Sequence, residues 1–199
     1  VLLAPLVSPF PHQKIVARPF QGMMTTTRAG DTLFLGTDEL GRDMLSRLLY
    51  GGRVSLLVGI TAPLLGVAIG SLLGVVSAYY GRAVDLLIQR LNDAILVLPG
   101  LVVAMAVTVA FGFTVPVVIL ALTVANAVGS VRIVRSHVLG LNTMQYIEAA
   151  RAIGASDLRI IIRHLLPNTV VVSIVLFSVH VGSAIVAEAT LSFLGIGVQ

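Results

Sequence analysis

The chain has 199 residues, of which 57% are hydrophobic and only 11% charged, and its mean hydropathy is +1.01. That is far more apolar surface than one soluble core of this length needs, so a membrane protein is expected. There is no cysteine, which excludes disulfides, thiolate chemistry and cysteine-based metal sites; the net charge of +4 lies beside apolar stretches rather than in one basic patch, which argues against nucleic-acid binding.

In chain order, VLLAPLVSP at the start is too short to cross a bilayer and reads as the tail of a span ending at Pro9. It has neither the basic start nor the small-residue cleavage pattern of a signal peptide. A polar segment, residues 9–52, follows and ends in LGTDELGRDMLSRLLYGG. Here Thr37 is a candidate N-cap, Asp38 and Glu39 suit a helix start, and Leu40, Met44, Leu45, Leu48 and Leu49 form an apolar stripe. Gly51 and Gly52 supply a stop. An amphipathic surface helix from Thr37 to Tyr50 is expected, and periodicity alone makes it an interfacial helix resting on the membrane.

Four stretches approach the roughly 20 apolar residues that cross a bilayer: 56–79, 94–113, 115–131 and 169–187. In the first, Gly66, Gly70 and Gly74 recur every fourth residue and present one face to which another helix can come close. The second has Pro99 and Gly100 near its start. Gly112 to Pro116 is so short that the second and third spans form a hairpin. No repeat, low-complexity tract or second domain is evident.

Between the third and fourth spans, residues 137–168 must leave the membrane and return. Before Gly154, NTMQYIEAARAI reads as a helix capped by Asn142 or Thr143; after it, Ser156 caps DLRIIIRHLL, and Pro167 interrupts the helix ahead of the last span. Gly154 permits the joining turn. Arg159 and Arg163 share one face, while Leu158, Ile161, Ile162 and Leu165 lie on another. By charge alone this is an ordinary cytoplasmic loop whose arginines fix orientation.

The residues of that loop carry a resemblance. EAA, three residues, glycine, nine residues, a hydrophobic position, one residue and LP is the pattern of the membrane subunits of bacterial ABC importers, and Glu148, Ala149, Ala150, Gly154, Leu166 and Pro167 stand in register. His164 departs from it, standing where the general pattern has isoleucine; the RHLLPN form resembles the dipeptide, oligopeptide and nickel branch. LGTDELGRDMLSRLLYGGRVSL and ATLSFLGIG are similar to the C-type permease subunit of the same branch.

The resemblance implies an all-α membrane protein with the type I ABC importer transmembrane fold, having both ends in the cytoplasm of a bacterial or archaeal cell. Of its six membrane helices this chain would hold four and the end of the first. It implies a B-type permease partner, two ATPase subunits or domains, and an extracytoplasmic substrate-binding protein. The segment 9–52 would lie outside and 137–168 would be the coupling loop seated on an ATPase. Glu148, Ala149, Ala150, Gly154, Arg159, Leu166 and Pro167 are the candidate coupling residues, and Arg42 and Arg47 are candidates for docking the binding protein. The glycine face of the first span is expected to meet the second permease chain.

The chain is not expected to hydrolyse ATP or to bind a cofactor itself, because its sole lysine, Lys14, lies in no phosphate-loop pattern; ATP and Mg would act on the partners. His12, His137, His164 and His180 are too scattered for a metal. His180 is expected to be hydrogen-bonded between helices rather than to line a path with Ser173 and Ser183, and Glu188 to sit at the outer interface rather than to relay protons. An importer of di- or oligopeptides leads, with nickel or another small solute as its alternative. An ion-coupled carrier ought to show paired ionisable groups at mid-membrane, which the spans lack, and a non-transporting scaffold leaves the loop pattern without a purpose.

Overall fold

The computed structural model describes residues 8–11, 13–27 and 29–195, so the expected span tail at residues 1–7 lies outside the described residues. The described residues fall into two compact units, divided after Leu57.

In the first unit, β1 (Thr25–Thr26) pairs antiparallel with β2 (Thr32–Leu33), and single bridges join Ile15 to Arg42 and Thr37 to Asp43. Buried Leu33 anchors this unit. The helix expected from Thr37 to Tyr50 is replaced by a turn and a much longer helix, α1 (Met44–Tyr80). Thr37 does not cap: its hydroxyl donates to the Arg18 carbonyl at 2.6 Å and accepts from the Gln21 N–H at 2.9 Å. Asp43 caps instead, accepting the Ser46 N–H at 2.8 Å and the Ser46 hydroxyl at 2.6 Å. Gly51 and Gly52 fail as a stop because neither adopts the left-handed conformation that ends a helix, and apolar sequence continues beyond them. Much of the expected apolar stripe faces outward, with Leu40, Met44 and Leu48 all exposed.

In the second unit, the span expected at 94–113 is two helices, α2 (Arg82–Leu96) and α3 (Gly100–Phe111), bent by 84°. Pro99 lacks an N–H and sits extended at φ −54°, ψ 134°, which breaks the helix there. With 12 residues, α3 rises only about 18 Å, well short of a hydrocarbon core. The chain turns back at Gly112 into α4 (Val115–Leu141), and α3 packs along it as the expected hairpin. This helix runs ten residues past the expected end at Val131, because its buried face continues through Val134 and Val138.

The loop holds α5 (Gln145–Ala152) and α6 (Asp157–Ile160); a π-helical turn (Ile161–Leu165) then leads into α7 (Leu166–Phe193). Pro167 does not interrupt this helix. Asp157–Phe193 is continuous over 37 residues, because the wider turn, in which the Leu166 N–H reaches back to the Ile161 carbonyl, gives the proline ring room. Among the described residues, three helices, α1, α4 and the α6–α7 rod, are long and apolar enough to cross a membrane, or four if α2 and α3 form one broken span.

Small residues bring α1 against α4. A Cβ built on Gly66 would lie 2.7 Å from the Asn126 Cβ, one on Gly70 2.6 Å from the Ala127 carbonyl oxygen, and one on Gly74 2.9 Å from the Val131 carbonyl oxygen. The glycine face is therefore used within this chain, contrary to the expectation that it meets a second permease chain. Polar ties supplement the packing: Ser71 and Ser173 hydroxyls are 2.8 Å apart between α1 and α7, and Ser130 lies 3.4 Å from His180 Nε2 between α4 and α7. Glu188 is buried and accepts the Ser192 hydroxyl at 2.9 Å.

Candidate coupling site

The loop between α4 and α7 is built from two short helices held in the bundle by alternate faces. In α5, Ile147 and Ala150 are three apart and buried, whereas Glu148 and Ala149 are exposed. Beyond Gly154, Ile160, Ile161 and Leu165 turn inward; together with Ile147 and Ala150 they share one core with Val67, Val75, Val134 and Val138. Leu158, Ile161, Ile162 and Leu165, which the sequence places on one face, are thus divided between the core and the surface. Leu158 and Ile162 point outward, whereas Ile161 and Leu165 are buried.

The spacing between the motif alanine and glycine has a backbone cause. Gly154 has φ +80°, its N–H donates to the Arg151 carbonyl at 3.0 Å, and the Ala155 N–H reaches the Ala150 carbonyl at 3.0 Å. These two bonds are the Schellman closure of a helix, which needs a left-handed residue four places after the residue whose carbonyl is capped. Ala150 is that residue, and a small side chain there fits a helix end pressed into the core. A Cβ on Gly154 would meet nothing within 4 Å, so the demand for glycine comes from its φ alone.

Neither expected cap of α5 is used. Met144 occupies the N-cap position without a side-chain bond, the Asn142 amide donates instead to the Ala78 carbonyl at 3.0 Å, and the Thr143 hydroxyl turns back to the Gly140 carbonyl at 2.9 Å. Ser156 holds the N-cap position of α6, but its side chain makes no capping bond. His164, the departure from the general pattern, is half-buried with its ring 6.1 Å from that of Tyr146 on α5.

The predicted coupling residues therefore divide. Glu148, Ala149, Gly154 and Arg159 lie exposed, on a surface that also carries Ile153 and Leu158, 85% and 65% exposed. Ala150 faces the core. Leu166 and Pro167 belong elsewhere, lining an apolar groove of about 690 Å³ with Leu64, Val67, Leu72 and Phe177. Ile153 escapes a reading by helical periodicity because it lies past the last turn of α5.

Sequence reasoning also missed the polar end of α1. The Tyr79 hydroxyl donates to Asp157 Oδ1 at 2.8 Å, and the Arg151 guanidinium lies 5.5 Å from the centre of the Tyr79 ring. One step back, the Ser77 hydroxyl donates to Asp85 at 2.5 Å, and Arg135 on α4 donates to both oxygens of Asp85 at 2.6 and 2.5 Å. A tyrosine closing an apolar span is the signal that could have found the first, since its tip seeks a polar partner. Arg42 and Arg47 both pair with Asp38, the first at 2.8 Å. Burial pushes the Asp38 carboxyl up, but the N–H and guanidinium of Arg42, the N–H of Leu40 and the guanidinium of Arg47 outweigh it and hold it well below the usual carboxylate range.

An apolar bundle with a charged two-helix loop closed by glycine matches more than a motif. Residues 66–199 fit the family of binding-protein-dependent transport system inner membrane components. The chain belongs to that family. Its fold is accordingly the type I ABC importer transmembrane fold, and it is an inner-membrane component of a transport system. It is similar to a peptide transport system permease protein of Brucella suis, 45% identical over 162 residues, which is 81% of this chain and 54% of the relative. It is also similar to the glutathione transport system permease proteins GsiD of Pectobacterium atrosepticum and Escherichia coli, 41% and 42% identical over 83% of this chain and 55% of each relative. The chain thus spans about half the length of the curated relatives it matches. These relatives fit the dipeptide and oligopeptide branch to which the sequence points.

Proposed function

We propose that this chain is the C-type permease subunit of an ATP-driven importer of short peptides, and that its loop couples substrate passage to partner ATPases. The observation that carries this is the two-sided loop. One face, with Ile147, Ala150, Ile160 and Leu165, is locked into the bundle, while the other presents Glu148, Ala149, Ile153, Leu158 and Arg159 outward. A loop that only joined two spans would gain nothing by exposing Ile153 and Leu158 to water; a protein groove that covers them would.

The relatives that transport peptides and glutathione support a peptide substrate, with nickel or another small solute as the alternative. The partners are a B-type permease subunit, two ATPase subunits or domains that bind ATP and Mg, and an extracytoplasmic binding protein. Arg42 and Arg47 remain the proposed docking residues for that protein, presented by the Asp38 turn. Closure of the ATPases would move the loop, and with it the helices that open the path to either side in turn.

The test is ATP hydrolysis and peptide uptake by the complete transporter in vesicles. Glu148→Lys places a like charge against any basic partner, and Gly154→Val forces a β-branched residue to φ +80°. Each should reduce uptake by roughly tenfold or more, the equivalent of about 1.4 kcal/mol, while membrane insertion is kept. Full, coupled transport by both variants would reduce the loop to a connector.

A further inference from the structure

Both halves of the loop meet α1 at a single side chain. Arg151 lies in the last turn of α5 and Asp157 begins α6, on opposite sides of the Gly154 turn, and Tyr79 takes the first on its ring face and the second on its hydroxyl. Nothing lies within 4 Å of a Cβ built on Gly154, so no side-chain packing at that point fixes the angle between the two helices. The adjoining residues tie Tyr79 to the rest of the bundle. Ala78 accepts the Asn142 amide at 3.0 Å, and Ser77 joins the Asp85–Arg135 pair and also accepts from Gln89 at 3.1 Å. Three consecutive residues at the end of α1 therefore contact α2, the end of α4 and both loop helices.

We propose that Tyr79 is a positioning residue for coupling, the clasp that makes the two loop helices move as one piece and passes their displacement to α1. Without it, the left-handed turn at Gly154 lets α5 and α6 change angle independently. Movement imposed on the exposed face would then be absorbed in the loop. The alternative is that burial of Ile147 and Ile160 alone fixes the loop, which leaves Tyr79 as one stabilising contact among many. The two accounts differ in what they predict for the ratio of ATP hydrolysed to peptide taken up.

This inference rests on the importer reading, and the experiment separates their failures. In the complete transporter reconstituted in vesicles, Tyr79→Phe keeps the ring under Arg151 and removes the hydroxyl with its bond to Asp157. Its ratio of ATP hydrolysed to peptide imported should rise about fivefold, with hydrolysis itself within about twofold of wild type. Asp157→Ala should raise the ratio equally, Asp157→Asn, which still accepts the hydroxyl, should restore it, and the double variant Tyr79→Phe/Asp157→Ala should be no worse than either single change. An unchanged ratio in Tyr79→Phe and Asp157→Ala, whether both rates hold or fall together, would overturn the clasp. If Glu148→Lys nevertheless uncouples, the importer reading survives that result; if the wild-type complex shows no ATP-dependent uptake, both fall.

Discussion

The contact between α1 and α4 yields a prediction whose size can be worked from distances. A methyl group on Gly70 would sit 2.6 Å from both the Ala127 carbonyl oxygen and the Ser130 Cβ, whereas ordinary contact begins at 3.4 Å. The two helices would have to part by about 0.8 Å at that point, and both obstructing atoms belong to α4's backbone or are fixed directly to it. Forcing a methyl group into a packed interior costs about 1–3 kcal/mol, and replacing glycine by alanine within a helix returns up to about 1 kcal/mol. With both contacts at 2.6 Å to backbone-fixed atoms the cost falls in the upper part of that range, about 2–3 kcal/mol, so Gly70→Ala should destabilise by about 1–2 kcal/mol. Gly129→Ala, where nothing lies within 4 Å, should be neutral or stabilise by up to about 1 kcal/mol. Thermal unfolding in detergent, followed by circular dichroism, gives the comparison within one protein. Equal stability of the two variants, or a Gly70→Ala protein as stable as wild type, would refute the close approach of these helices.

Two other expectations concern charge. Arg135→Gln leaves Asp85, whose side chain is only 20% exposed, with Ser77 as its remaining partner in the network; it should cost about 1–3 kcal/mol in the same unfolding assay. Arg132→Gln breaks the pair with Asp93, in which both side chains are about half exposed, and should cost under about 1 kcal/mol. In the amino-terminal unit, Asp38 is held below the usual carboxylate range, so its stabilisation is complete above that range and is lost as the pH falls through and beneath it. Protease resistance of residues 8–57 should decline between about pH 5 and pH 2 in the wild type and lose most of that dependence in Asp38→Asn.

How much of the fold and site is legible in the sequence depends on which signals are local. The apolar runs that became α1, α4 and α7 are legible because hydropathy reports on the solvent. The Gly154 turn is legible because a left-handed helix end has few residue choices. Stops and caps fared worse. Gly51 and Gly52 resemble a helix end, but only the conformation actually adopted makes them one, and the apolar sequence after them favours continuation. Thr37 and Asn142 are good capping residues that find other partners, at Arg18 and Ala78, brought close only by the fold, while Thr143 turns back onto the Gly140 carbonyl of the preceding helix. The role of the Gly66, Gly70 and Gly74 face was legible as close packing, but its partner was not, because periodicity names a face and never what covers it. Tyr79, closing an apolar span, signals a polar partner, but which partner was hidden for the same reason: Arg151 and Asp157 lie 72 and 78 residues away.

The leucine and proline that close the loop motif gain a physical meaning from the continuous rod Asp157–Phe193. A proline two residues into an ordinary α-helix is harmless, because the first N–H groups have no intrahelical partner there. Placed instead after several helical residues, it would kink the rod and loosen the loop from the last span. The π-helical turn at Ile161–Leu165 reconciles the two: its longer reach leaves Pro167 at the start of a new α-helical ladder without breaking the rod, while keeping Ile160, Ile161 and Leu165 all buried. The second loop helix is therefore a rigid extension of α7. The first is joined to α4 through the short turn after Asn142, where Met144 N–H closes onto the Leu141 carbonyl at 3.0 Å. A push on the exposed face reaches α7 directly and α4 through a turn, with the Gly154 link between them. For the two helices to move together, the constraint has to come from outside the loop, and the end of α1 is where the structure supplies it.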